Sequence, residues 1–299
     1  MPSTSAILSL YGWTLLGLAL LVGAGPASSI AAFMLVGDPQ APLAMASATG
    51  IREIVFLVPS IALMLLWRRR NAPPYRLGFD GGLGLGSLCG LGLAFLAIAL
   101  AGFGGAIGPG AGPDARDVAS VFALIILVPA LILHGCAEEI VFRGIVQEAA
   151  IALFGVRGGV VFAALGWTLL QFFQGYTSPM HILNSFLVGL GFGLVALRAG
   201  VLAAGTAHGL WTWAETRLFG FGPLASPPLF DLDVVTPNFW TGPFSDTYGG
   251  LATSCAALLV LAGLTWSIRT MPPSAALPTR PRLKPNSRKG QSRTKRTTR

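Results

Sequence analysis

The chain has 299 residues, of which 53% are hydrophobic, only 11% are charged and 39 are glycine. Soluble domains carry about 25% charged residues, so this composition excludes an ordinary soluble enzyme and indicates a polytopic helical membrane protein. The three cysteines lie in or beside apolar runs without metal-binding spacing, which argues against a disulfide framework and against a zinc ribbon.

The net charge of +8 belongs mainly to the end of the chain. Ten of the 20 lysines and arginines lie from Arg269 onward, in a segment rich in proline, serine and threonine. We therefore predict a basic, disordered tail over 269–299. A cytoplasmic tail against anionic lipid explains this charge better than nucleic-acid binding, so membrane lipid is an expected partner and nucleic acid is not.

Apolar stretches long enough to span a bilayer predict an all-α protein of about eight transmembrane helices. They cover residues 6–22, 53–67, 83–107, 118–137, 158–173, 181–197, 201–216 and 250–268. Arginines follow the second and sixth helices and the basic tail follows the eighth, whereas the alternate loops carry most of the aspartates. The positive-inside rule then places both termini in the cytoplasm.

The fourth predicted helix ends in a charged motif that includes Glu138, Glu139 and Arg143. On a helix, Glu139 and Arg143 are four residues apart and can pair, whereas Glu138 lies about 100° round the axis, on the face of His134. The alternative is a simple ion pair at the membrane border. Two carboxylates where one would neutralise the arginine favour a functional site, because charge at membrane depth is costly.

Two later helices carry polar residues that must face the interior of a bundle. His208 and Thr212 are four residues apart in the seventh helix, and Trp167 and Gln171 have the same spacing in the fifth. A carboxylate and an imidazole from different helices are the minimum set for activating water or binding a divalent metal. The alternatives are that His208 and Gln171 only form hydrogen bonds between helices.

Three smaller features complete the sequence-based expectations. The segment 140–154 mixes polar and apolar residues, which suits an amphipathic helix at the cytoplasmic boundary. Glycines four residues apart, Gly82, Gly86 and Gly90, predict close helix contacts, since the segment lacks the lysine of a phosphate-binding loop. His181 is expected in a solvated outer turn, and 219–248 is the one long outer loop.

The charged motif resembles that of the CPBP family of intramembrane proteases, which includes eukaryotic type II CAAX prenyl endopeptidases and bacterial relatives tied to bacteriocin maturation or immunity. The resemblance covers 118–213, and its strongest element is Glu138-Glu139-x-x-x-Arg143. It implies a protease core over 118–216 within a helical bundle, after helices one to three in 1–117 and before the outer loop and last helix in 217–268. It also implies that Glu138 binds or polarises the attacking water and that Glu139 and Arg143 support it.

The family's second motif is an aromatic residue followed four positions later by histidine, and here it reads Trp167 to Gln171. Its third motif is represented by His208 with Thr212. The resemblance thus implies the catalytic group Glu138, Glu139, Arg143 and His208, with support from Gln171, Thr212 and Trp167. It makes zinc a candidate cofactor, held by Glu138 and His208.

Three accounts of the site remain open because a zinc site normally needs three protein ligands. In one, Glu138 activates water without metal; in another, His134 is the third zinc ligand; in the third, the protein is a pseudoprotease that only binds peptides or helices. The expected substrate is a membrane-associated peptide or protein, prenylated or bacteriocin-like, in a bacterial cytoplasmic membrane. A proton-coupled transporter is a different class that also places Glu and His in the membrane.

Overall fold

A computed structural model describes residues 3–36, 42–70, 82–110, 118–221, 228–235, 239–241 and 248–269. Within these ranges the chain forms eight α-helices. They are α1 (Thr4–Val36), α2 (Pro42–Arg70), α3 (Leu83–Phe103), α4 (Val118–Val141), α5 (Glu148–Phe173), α6 (Pro179–Ala199), α7 (Val201–Trp213) and α8 (Leu251–Arg269). The predicted all-α membrane class is confirmed, whereas the tail 270–299 lies outside the described residues.

Six helices of the described ranges are long and apolar enough to cross a membrane, and one of them, 121–173, contains both the fourth and fifth predicted spans. α7 is not among the six. It continues directly into a π-helical segment, Ala214–Leu218, so the helical stretch covers the predicted 201–216. Ten residues of α7 are buried, so this stretch packs among the other helices.

α4 and α5 are joined by a π-helical segment, Phe142–Gln147, and the chain kinks later at Gly155, whose φ is +77°. Such a φ suits glycine, which has no Cβ to clash. Arg143, Gln147 and Glu148 are all buried, so the predicted interfacial helix over 140–154 is wrong for its first half.

The polar side chains of this segment have partners inside the bundle, which is why they do not face the membrane surface. Arg143 Nε donates to Glu139 at 2.6 Å, Arg68 donates to Glu148 at 3.0 Å, and the Gln147 amide donates to a backbone carbonyl of α6 at 3.1 Å. Buried polar groups are tolerated when they are paired in this way.

α7 packs against its neighbours through small residues. Gly86 and Gly90 of α3 lie directly against the backbone of α7, as the glycine spacing predicted. α4 approaches α7 through Gly135, where an added methyl group would lie 2.7 Å from the backbone nitrogen of Gly209. Close contact of this kind requires glycine on both helices. It brings the end of α4, with its carboxylates, against the middle of α7.

α6 begins at the N-cap Ser178, followed by Pro179 at the first helical position. Contrary to the expected solvated turn, His181 is only 2% exposed, and its ring shares a 2.8 Å hydrogen bond with the Ser178 hydroxyl. Asn184 donates to the backbone carbonyls of Tyr248 at 2.5 Å and Gly250 at 2.9 Å. These bonds tie α6 to the start of α8.

Two short antiparallel strands lie outside the helices. β1 (Ile107–Pro109) pairs with β2 (Leu232–Val234), with Ile107 opposite Val234. β2 belongs to the predicted outer loop 219–248, so the described part of that loop is partly ordered against the end of α3.

Candidate active site

The two adjacent glutamates at the end of α4 are both buried, with Glu138 1% exposed and Glu139 fully covered. Glu139 accepts a hydrogen bond from Arg143 Nε at 2.6 Å, which is the pair that the helical spacing predicted. Its other oxygen accepts from His208 Nδ1 at 3.2 Å. Glu139 therefore links the arginine of its own chain segment to the histidine of α7.

Glu138 has a different environment. One oxygen, Oε2, accepts a hydrogen bond from the indole nitrogen of Trp167 at 2.8 Å. The other oxygen, Oε1, lies 3.6 Å from His134 Nε2. Since Arg143 is engaged by Glu139, Glu138 is the carboxylate of the motif that is left to exchange a proton.

His208 is held by contacts on several sides. Its Nδ1 is bonded to Glu139, its ring stacks on Phe192 at a centroid distance of 5.0 Å, and the ring of Trp167 meets it edge-on at 5.5 Å. These contacts fix the plane of the imidazole. Nε2 is then the nitrogen available to a ligand in the adjoining cavity, which His208 lines.

A cavity of about 150 Å³ lies beside these groups. It is lined by six residues that the sequence singled out, namely His134, Glu138, Trp167, Gln171, His208 and Thr212. Glu139 and Arg143 do not line it and instead lie behind its wall as a buried pair. The structure therefore separates the predicted group into residues that can meet a ligand and residues that orient them.

Sequence reasoning missed several aromatic groups of this cavity. Tyr176, Trp211 and Tyr248 line it together with the predicted residues, and Tyr248 comes from the part of the chain before α8. Their rings contact one another, with Trp211 and Tyr248 centroids 5.1 Å apart. Aromatic residues are frequent in any apolar sequence, so nothing in the pattern distinguished these from ordinary packing.

The most informative residue that the sequence analysis missed is Glu53 of α2. It is 1% exposed, and its Oε2 is bonded to His134 Nδ1 at 2.9 Å. Its other oxygen accepts from Arg52 Nε at 2.8 Å. The available signal was an acidic residue at the edge of an apolar span, which marks a functional candidate.

The residues present do not fit a three-ligand zinc site. The described residues contain no group of three or more His, Cys, Asp or Glu side chains placed to hold a metal ion. Glu138, His208 and His134, the expected ligands, all line the cavity, and each histidine has its Nδ1 bonded to a glutamate, which leaves Nε2 as its free nitrogen. Gln171 occupies the remaining position, and an amide is a poor zinc ligand.

Buried carboxylates beside a cavity inside a bundle of apolar helices mark a functional site in an integral membrane protein. Residues 120–214, about a third of the chain, match the family described as Rce1-like, type II CAAX prenyl endopeptidase. This match supports membership of the CPBP family, a family of proteases, as the motif at Glu138 suggested. A comparison with curated proteins finds no match.

Proposed function

We propose that this protein is an intramembrane endopeptidase in which Glu138 activates a water molecule. The observation that carries the proposal is that two adjacent carboxylates have different hydrogen-bond partners. Glu139 is bonded to Arg143, whereas Glu138 is buried at the cavity wall with Trp167 as its hydrogen-bond donor. A carboxylate that is not paired with an arginine or lysine and that lines a cavity is suited to act as a general base.

In the proposed reaction, a cavity water loses one proton to Glu138 as its oxygen attacks the carbonyl carbon of the scissile peptide bond. The carbonyl π electrons move to oxygen and form a tetrahedral oxyanion. The C–N bond then breaks, and the proton held by Glu138 passes to the leaving nitrogen. The indole N–H of Trp167, bonded to Oε2 at 2.8 Å, keeps the carboxylate oriented through both steps.

The oxyanion needs hydrogen-bond donors in the same cavity. Gln171 contributes an amide N–H and Thr212 a hydroxyl, and both residues line the cavity with Glu138. His208, when protonated, adds Nε2–H, and its ring is fixed through Glu139 and Arg143. A donor aimed at a developing oxyanion is worth about 3 kcal/mol. Glutamine in the second motif is thus compatible with hydrolysis without metal.

The proposed substrate is a peptide or protein held at the membrane, for two reasons. The cavity lies within a bundle of helices whose outer faces carry exposed large hydrophobic side chains, as lipid contact requires. The matching family is described by its action on prenylated CAAX proteins. We propose prenylated or bacteriocin-like peptides as the substrate class, in a bacterial cytoplasmic membrane with both chain termini on the cytoplasmic side.

The experiment is cleavage of fluorogenic peptides, with and without a C-terminal farnesyl group, by the full chain in lipid nanodiscs. Replacing Glu138 by Gln should lower kcat about 10²- to 10⁴-fold, as loss of a general base does. Glu148→Gln is the matched control, because Glu148 is also fully buried but pairs with Arg68 away from the cavity. Unchanged cleavage by Glu138→Gln would reject the proposal.

Gln171 is the observation that favours a second candidate, a pseudoprotease that binds membrane peptides without cleaving them. A glutamine amide neither accepts nor releases a proton at neutral pH. Peptide binding by the wild-type protein, measured by fluorescence anisotropy, with no turnover over hours would select this second function. Turnover that depends on Glu138 would exclude it.

A further inference from the structure

We propose that Glu53 and His134 form a dyad that supplies the imidazole absent from position 171, with Glu53 as its positioning residue. The proposal rests on the proposed hydrolytic function and extends it to a helix outside the matching segment 120–214. It assigns His134 a role in orienting the attacking water instead of holding zinc. We call these two residues the Glu53–His134 dyad.

The imidazole of His134 lies between two buried carboxylates. Its Nδ1 is 2.9 Å from Glu53 Oε2, a hydrogen bond, and its Nε2 is 3.6 Å from Glu138 Oε1. Both glutamates are 1% exposed, whereas the His134 side chain is 26% exposed and lines the cavity. One side of the ring is thus anchored in the protein, and the other is open to a ligand beside Glu138.

The ring plane of His134 is fixed by α2. Phe56 stacks on it at a centroid distance of 5.3 Å and an interplanar angle of 14°. Glu53 and Phe56 are three residues apart and so share a face of α2. The bond to Glu53 sets the rotation of the imidazole about its bond to Cβ, and Phe56 supports the face of the ring. Two contacts from one helix therefore hold the His134 ring.

The contacts of Glu53 are those expected of a positioning residue. Arg52 donates to Oε1 through both Nε and Nη2, and His134 Nδ1 bonds to Oε2, so the two carboxylate oxygens are bonded to different residues. Arg52 is 38% exposed, and an ion pair at the bundle surface would be complete without a histidine. Burying a carboxylate costs desolvation free energy, and a role in holding His134 explains why the buried Glu53 is present.

The hydrogen bond to Glu53 determines which ring nitrogen of His134 carries the hydrogen. With Nδ1–H donating to Glu53, Nε2 carries the lone pair that faces Glu138 and the cavity. A water bonded at about 2.8 Å to both Nε2 and Oε1 fits the 3.6 Å separation of these atoms. That water gives one proton to Glu138 as its oxygen bonds to the carbonyl carbon, while its other hydrogen stays directed at Nε2. His134 thereby orients the attacking water and takes up no proton itself.

Gln171 and His134 approach Glu138 from different helices but line the same cavity. In the family pattern the second imidazole would come from α5, where this chain has Gln171. In this protein α4 supplies it, one helical turn before Glu138, and α2 orients it. Neither Glu53 nor His134 belongs to the motifs at 138, 171 and 208.

The first arm of the test is kinetic. We expect His134→Ala to lower kcat about 10²-fold with KM nearly unchanged, and Glu53→Gln to lower it about 10-fold, because the ring remains but its Nδ1 then donates to a neutral amide oxygen instead of a carboxylate. Introducing Gln171→His into the His134→Ala background should restore most of the lost turnover. Glu148→Gln, a buried glutamate paired with Arg68, is the control for losing a buried carboxylate.

The second arm of the test detects the contact between Glu53 and His134 by NMR and does not depend on peptide cleavage. The chain has three histidines, so ¹⁵N-histidine spectra can be assigned with single variants. Glu53→Gln should move the His134 nitrogen shifts and leave those of His181 in place. Unmoved His134 shifts, or wild-type kcat in His134→Ala, would overturn the dyad while cleavage by the wild type continued. Absence of cleavage by the wild type would instead reject the proposed function, and the catalytic role of the dyad with it.

Discussion

Glu138 and Glu139 are consecutive residues, yet their carboxylates are bonded to different helices. Glu138 accepts from Trp167 of α5 at 2.8 Å, whereas Glu139 accepts from His208 of α7 at 3.2 Å as well as from Arg143. The 100° rotation per helical residue produces this separation. It lets one carboxylate face the cavity while its neighbour neutralises the buried arginine.

We expect Glu139→Gln to destabilise the protein by about 3–5 kcal/mol, because it leaves the Arg143 guanidinium buried without a carboxylate. Thermal unfolding in detergent would measure the loss. The double variant Glu139→Gln with Arg143→Met should be more stable than Glu139→Gln alone. Equal stability of the single variant and the wild type would show that the pair contributes nothing to folding.

Trp167→Phe tests the hydrogen bond to Glu138 while keeping an aromatic ring in the core. A hydrogen bond to a charged group contributes about 1.5–3 kcal/mol, so we expect kcat to fall about 10-fold or more with KM little changed. The phenyl group is smaller than indole but keeps an aromatic ring beside Phe192 and His208, which Trp167 contacts. A normal kcat in this variant would mean that the indole N–H does not orient Glu138.

Gly135→Ala should separate α4 from α7 and disturb the site. An added methyl group would lie 2.7 Å from the Gly209 nitrogen and 3.1 Å from His208 Cβ, and overpacking of this kind costs about 1–3 kcal/mol. Both unfolding temperature and turnover should therefore fall. Gly92→Ala is the control, since nothing lies within 4 Å of its added methyl group, and it should keep wild-type values.

Metal analysis distinguishes the water-activation mechanism from the zinc account. Because the described residues hold no group of three or more His, Cys, Asp or Glu side chains placed to bind a metal ion, we expect clearly substoichiometric zinc in protein purified without chelator, and cleavage that survives chelation. One zinc per chain, lost in Glu138→Gln and His208→Ala, would instead establish a metal site. Loss of that zinc in His134→Ala would identify the third ligand and contradict the dyad.

Local spacing predicted some of the site and missed the rest. The pair of Glu139 and Arg143 follows from helical geometry, because residues four apart share a face. The bond between Glu53 and His134 joins positions 81 residues apart, and hydrophobic periodicity does not specify which helices become neighbours. The segment 140–154 misled for a related reason, since an amphipathic pattern cannot tell buried polar partners from lipid headgroups.

The fold was predictable at the level of class because long apolar segments need no tertiary information. α7 is the exception, since its apolar character reflects burial among other helices and it is not among the candidate membrane spans of the described residues. The orientation of the termini and the disordered tail stay predictions.

α2 is fastened to the segment formed by α4 and α5 at two distant points. Glu53 bonds His134, and Arg68, 15 residues later and about 22 Å along the helix, pairs with Glu148. Any outward movement of α2 would have to break both of these polar contacts. We therefore expect α2 to stay in place, so that under the proposed function a peptide enters the bundle past other helices.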